Sequence, residues 1–151
     1  MMVGRRSAKS SFSLQLFYDY GMEHSHAVKL LDIYIANAWR IFDANFGNDR
    51  AESAMFAVVD LLHERADLKE EFLRLAKATL SEQEGFWTAQ APVPLELLEV
   101  AVHELQWQEF HQVIETRRRL FPFDTRYKRL VDAFNPEWED REYYQRYRVE
   151  P

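Results

Sequence analysis

Residues 27–46 read AVKLLDIYIANAWRIFDANF, and the way their apolar side chains fall around a helix decides the fold class. At 100° per residue, Lys29, Asp32, Arg40 and Asp43 gather on one narrow strip. Val28, Leu30, Leu31, Tyr34, Ile35, Trp39, Ile41, Phe42 and Phe46 take the rest, more than half of the circumference. A surface helix needs only one apolar stripe. A helix this apolar is expected to be enclosed by neighbours, as the spine of an all-α core.

Composition agrees with that class. The chain has 151 residues, enough for one domain that buries roughly two thirds of its unfolded surface. It is 47% hydrophobic, with 22 aromatic residues but only nine glycines and prolines, which argues for packed helices over a turn-rich β sandwich or a disordered tail. There are no cysteines, so disulfides, Cys-ligated zinc and thiol catalysis are excluded together. The N-terminus is basic without an apolar signal core, and no run reaches membrane-spanning length. A soluble, cytoplasmic protein that makes no use of the membrane is the expectation.

Working outward from the spine, residues 1–22 form a basic arm. Within it SFSLQLFYDY alternates polar and apolar positions over 12–20, the period of a strand. Without a second strand to pair with, this arm is expected to lie on the helices or to exchange between copies in a homo-oligomer. A single helical domain is expected over 23–151. Gly47 should stop the spine helix. Asp49 with Glu52, and Asp67 with Glu70, read as capping boxes opening two further helices. The first carries Met55, Val58, Val59 and Leu62, the second Leu68, Phe72, Leu75 and Leu80.

Gly85, Pro92 and Pro94 mark a long loop, and Pro94 suits the start of a helix with Leu98, Ala101, Val102 and Leu105 inward. The apolar stripe changes phase near Gln106 to Gln108, which predicts a break before Phe110, Val113 and Ile114. Pro122 should end that helix, Asp124 cap another to about Phe134, and Asn135–Pro136 open a last one with Trp138, Tyr143, Tyr144 and Tyr147. The whole is an irregular bundle of about six or seven helices.

A shift of about forty residues lays Leu62-His63-Glu64 on Val102-His103-Glu104, Met55 on Leu95 and Val58 on Leu98. With one residue added, Phe72 and Leu73 fall on Val113 and Ile114. A helix-pair period of this size resembles the HEAT and armadillo solenoids, and the resemblance implies stacked helical hairpins; it carries no functional residues.

Two sequence pairs, Glu23-x-x-His26 and Asp60-x-x-His63, place a carboxylate one turn from an imidazole. The spacing resembles that of ferritin-like di-iron bundles, which also need inward glutamates on two further helices. Here Asp60 and His63 should project away from the Val59–Leu62 stripe. His63-Glu64 and His103-Glu104 begin like zincin motifs, yet neither has a second histidine four residues on. No metal site and no cofactor are therefore expected.

On the helix after Pro94, Glu96, Glu99, His103 and Trp107 share one face, with Glu104 beside them and His111 next if the helix continued. Without a nucleophile, phosphate loop or oxyanion device, such a strip is expected to be a solvated face or a partner surface rather than a catalytic site. A large aromatic ringed by acids suits recognition of a basic protein. Phe86 and Trp87, in the Gly- and Pro-containing loop, read as plugs under the loop or as interface anchors, and Trp87 joins the candidate partner surface.

Charge is unevenly laid out. Between Glu52 and Glu115 thirteen acidic residues stand against four basic ones, a net −9, whereas Arg117 to Arg129 is net +5. Arg117, Arg118, Arg119, Lys128 and Arg129 form a candidate basic contact patch, with aromatics interleaved as on nucleic-acid surfaces. The acidic whole, −6, disfavours nucleic acid and favours a basic protein partner. In size, charge and aromatic content the chain resembles small acidic immunity or inhibitor proteins, which implies a non-enzymatic interaction module. The alternatives are a metal-dependent enzyme using the histidine–carboxylate pairs, or a subunit of a larger helical assembly.

Overall fold

The computed structural model describes residues 22–82 and 91–148. The strand expected over 12–20, Phe86 and Trp87 lie outside the described residues. The chain falls into two compact units, Met1–Asp32 and Ile33–Pro151, and the boundary lies inside the first described helix, α1 (His24–Asp43).

Along α1 the buried side chains are Ala27 and Leu31 in the first unit and Ile35 and Ala38 in the second, spaced by four, four and three residues. That is one stripe of a helix, and Ile33 on another face is exposed. The expectation of a helix enclosed on several sides is corrected here. Beside the stripe Val28, Leu30, Tyr34, Trp39, Ile41 and Phe42 are partly exposed, and Phe46 is exposed. α1 ends not at Gly47 but at Asn45, whose φ of 69° is left-handed. The N–H of Asn45 donates to Phe42 O and that of Phe46 to Ile41 O, the paired bonds of a Schellman stop.

The second unit continues with α2 (Asn48–Glu64), a 3-10 turn (Ala66–Leu68), α3 (Lys69–Ser81), α4 (Leu95–Leu105), α5 (Glu109–Leu120) and α6 (Lys128–Ala133). Two short 3-10 turns, Glu139–Tyr143 and Gln145–Tyr147, complete the described chain. The described residues thus form an all-α bundle with no strand among them, as the sequence predicts. No described helix is long and apolar enough to cross a membrane.

The core's real spine is α4. Eight consecutive positions but one are buried there: Leu95, Leu97, Leu98, Glu99, Val100, Ala101 and Val102. α2 packs on α4, α3 on α5, and α6 on α4. The hairpin α2/α3 therefore stacks on the hairpin α4/α5, which lies about forty residues on, matching the period read from the sequence. Two hairpins fall short of the roughly three repeats that hold up a free-standing solenoid. Here α6 packs on α4 and α5, and the C-terminal turns lie along α2.

Neither predicted capping box forms. α2 starts after Gly47 and α3 after Leu68, both without a side-chain cap. Asp67 is taken by Arg65, whose Nε and Nη2 donate to its carboxylate at 2.9 and 2.8 Å. The break at Gln106 is real: its φ is 52°, and its side-chain amide donates to His103 O and Phe134 O, closing the end of α4. Asp124 accepts the N–H of Arg126 in a turn and α6 begins only at Lys128. The last predicted helix is replaced by the 3-10 turns, since Asn135 accepts the N–H of Glu137 and other side chains claim the backbone beyond.

Candidate functional site

A carboxylate in the middle of α4 organises the surroundings. Glu99 is 2% exposed, because α6 brings Arg129 over it: Arg129 Nη2 donates to Oε1 at 3.3 Å, and Nε lies 2.8 Å from Oε2 without hydrogen-bond geometry. Burial pushes the Glu99 carboxyl up to about 7; Arg129 opposes that rise, while Glu96 and Asp140 add to it. The strip read as a solvated face is thus corrected at Glu99. A polar residue on α4 is buried here because a cation thirty residues away covers it.

One turn on, His103 Nδ1 lies 2.8 Å from Ala133 O. A carbonyl can only accept, so Nδ1 carries the proton. The ring sits against Trp138, centroids 5.0 Å apart, and edge-on to Tyr147 at 5.3 Å. Glu104 accepts the Tyr147 hydroxyl at 2.5 Å and stands 3.6 Å from His63 Nε2. Burial first, then Glu104, holds the Tyr147 phenol above its ordinary range; burial, then Glu99, does the same for Tyr144.

The C-terminal turns bind along α2 as well. Glu52 accepts two successive backbone N–H groups, from Gln145 at 3.0 Å and Arg146 at 2.9 Å. Arg146 reaches Asp60 at 2.8 Å and lies over the Phe56 ring, while Asn48 donates to the Tyr144 hydroxyl. Trp138 and Tyr144 are buried, but Tyr143 is exposed. Sequence reasoning missed Glu52, Phe56 and Asp60 as holders of this segment. The available signal was a carboxylate at each end of one α2 face opposite an arginine- and tyrosine-rich segment.

The remaining predicted partner residues separate. Glu96 sits in the first turn of α4, half-buried, with no cation paired to it among the described residues. Trp107 lies beyond the break, stacked on Phe110 at 5.2 Å with Lys69 Nζ 5.3 Å above its ring. His111 stacks on Phe134 at 3.9 Å. Trp87 lies outside the described residues.

The basic segment is not one patch. Arg117 is 1% exposed and donates to Leu80 O, to Glu82 O and to Asp124 at 2.6 Å, with its guanidinium over Phe121. That burial removes it from any contact surface. Arg118 and Arg119 both bind Glu115, Arg126 binds Asp124, and Arg129 covers Glu99, while Lys128 is exposed with no ion pair among the described residues. Arg118 and Arg119 hold the Glu115 carboxyl down at about 2, and Arg126 with Arg117 holds that of Asp124 well below its usual range.

Of the histidine–carboxylate pairs, Asp60 is turned to Arg146 and His63 to Glu104, while Glu23 and His26 are exposed in the first unit. Among the described residues no three His, Asp or Glu side chains gather as metal ligands. What the second unit offers chemically is a buried acid, Glu99, near Glu96 and Asp140, which have no cation paired to them among the described residues, and a segment over 138–147 fastened to α2 and α4. No family model matches the chain, and no curated protein and no solved structure matches it.

Proposed function

We propose that this chain is a non-catalytic helical interaction module that receives a basic protein partner on the acidic surface around the N-terminus of α4. The observation that carries the reading is the convergence of Glu96 and Asp140 on Glu99: neither surface carboxylate has a cation among the described residues, and both push the Glu99 carboxyl upward. Exposed Glu137, Glu139 and Glu142 extend the same negative segment. Cations brought by a partner would relieve this repulsion, and opposed charge speeds encounter more than it deepens affinity. Small acidic inhibitors use that chemistry on cationic targets. Of the residues read from sequence, Glu96 keeps the partner-facing role, while Glu99, His103 and Glu104 support the surface from beneath.

The test is association with an immobilised Lys- and Arg-rich helical peptide. Glu96→Lys with Asp140→Lys should slow association by about tenfold at low salt. Glu64→Lys with Glu70→Lys, the same charge change at exposed positions of α2 and α3, should slow it far less. Equal slowing by both pairs would reduce the effect to net charge and remove the assigned surface.

A further inference from the structure

On the α5/α6 side of the second unit, large apolar side chains stand in water. Phe123 is 98% exposed, Leu120 51% and Val131 45%. Single exposed apolar residues are ordinary. These three adjoin two hollows: one of about 580 Å³ lined by Ile114, Thr116, Tyr127 and Val131, the other of about 610 Å³ formed by the loop from Leu120 to Arg126.

The loop that carries Phe123 is braced. Arg117, buried beneath it, ties Asp124 to the carbonyls of Leu80 and Glu82. Asp124 N–H donates to Phe121 O at 3.0 Å, Lys128 N–H to Thr125 O at 3.0 Å, and Asp124 accepts twice more from the Arg126 side chain. Burying an arginine and its carboxylate is costly, and a hydrophobic pair of the same volume would fill the space at least as well. What this pair does that a hydrophobic one would not is fix the turn holding a fully exposed phenyl ring. A rigidly presented aromatic loses little entropy on binding, the property of an interface anchor.

The charge around the apolar centre is positive in excess. Each of two carboxylates is shared by two guanidiniums, Glu115 by Arg118 and Arg119, Asp124 by Arg117 and Arg126, and Lys128 adds another cation. We propose that this surface docks a short acidic segment of another protein bearing aliphatic or aromatic side chains, with Phe123 and Leu120 as its anchors and Arg119, Arg126 and Lys128 as its rim. The occupant is peptide rather than nucleic acid. The centre is a cluster of exposed Phe123, Leu120 and Val131, which suits apolar side chains spaced along a peptide and offers no track of stacking rings for successive bases. This surface is distinct from the acidic one proposed above and does not depend on it.

The experiment selects from a displayed library of random peptides about twelve residues long against the full chain, then measures each selected peptide by fluorescence anisotropy. Selected peptides should be rich in Asp and Glu with interspersed Leu, Phe or Trp, and Phe123→Ala should weaken them by about tenfold or more. Because Phe123 is wholly exposed, the variant should melt with the wild type, which separates a lost contact from lost folding. Selected peptides that are basic, or that ignore Phe123→Ala, would overturn the proposal. So would Phe123-dependent binding of a single-stranded oligonucleotide or anionic lipid vesicles in place of peptide. A dimer in sedimentation that Phe123→Ala dissolves would overturn it too, identifying the occupant as a second copy of this chain.

Discussion

Glu99 and Arg129 form an ion pair that is dry on one side only: the carboxylate is 2% exposed and the guanidinium half exposed, 2.8 Å apart. The acid carries the cost of burial, and the base keeps its water. This asymmetry is why Arg129 does not hold the Glu99 carboxyl down as Arg118 and Arg119 hold that of Glu115.

A pH dependence follows. Glu99 is an acid whose folded pKa, about 7, lies above the ordinary 4.5, so between those values the folded chain holds a proton that the unfolded chain has released. Its contribution to stability is full below about pH 4.5 and is lost as pH rises toward 7, by an amount of order 2–3 kcal/mol. Glu99→Gln should flatten this slope and leave stability below pH 4.5 nearly unchanged. Asp124, with its pKa lowered, acts in a separate window, its stabilisation fading as pH falls below about 4. Urea midpoints from pH 4 to 8 for both chains check it, and parallel curves would count against the buried-acid account.

Removing the brace under the 121–127 loop should be expensive. Arg117→Ala takes the buried donor from two carbonyls and leaves Asp124 held by Arg126 alone, a loss of about 3–5 kcal/mol. Arg117→Lys should recover little, because an ammonium cannot span the three acceptors as the planar fork does. Arg118→Ala and Arg119→Ala, which break exposed pairs, should each leave the melting temperature nearly unchanged. Thermal melts of the four variants are the comparison.

Glu52 fastens the C-terminal turns by their main chain. Glu52→Ala should cost about 1–2 kcal/mol and, more tellingly, expose Arg146 and Arg141 to trypsin. Cutting at those bonds should accelerate while cutting elsewhere keeps its rate. If the digestion pattern does not change, the two N–H bonds are not what holds the segment.

At the end of α1, the left-handed φ of Asn45 gives a test of opposite sign. Asn45→Gly should be neutral or stabilise by up to about 1 kcal/mol, and Asn45→Ala should destabilise by about 1 kcal/mol. Denaturant midpoints of the pair would show it. Equal midpoints would mean that the turn shifts to suit its residue.

The helices were legible from their period, and so was the break at Gln106, because a change of stripe phase is a local signal. The spine was misassigned for an identifiable reason. Counting Trp39, Ile41 and Phe42 as apolar says nothing of how many neighbours arrive, and α1 buries only one stripe. α4, shorter and carrying three glutamates, is the helix that α2 and α6 surround. Capping carboxylates misled in the same way. A sequence presents Glu52 to the N–H groups three residues back, whereas the chain presents it to those 93 residues on. Glu99 and Arg117 looked like surface charges because nothing in a linear reading says that one will be roofed by an arginine from α6 or that the other will reach Leu80.

The turns over 139–147 also set the order in which the second unit can close. A ribosome releases α2 and α4 well before Trp138, Tyr144 and Tyr147, so the faces of Phe56 and His103 that those rings cover stand open until residues 138–147 have emerged. During that interval the nascent protein carries an exposed apolar cleft edged with carboxylates, a surface on which chaperones or aggregation can act. Closing the latch at Glu52 ends it.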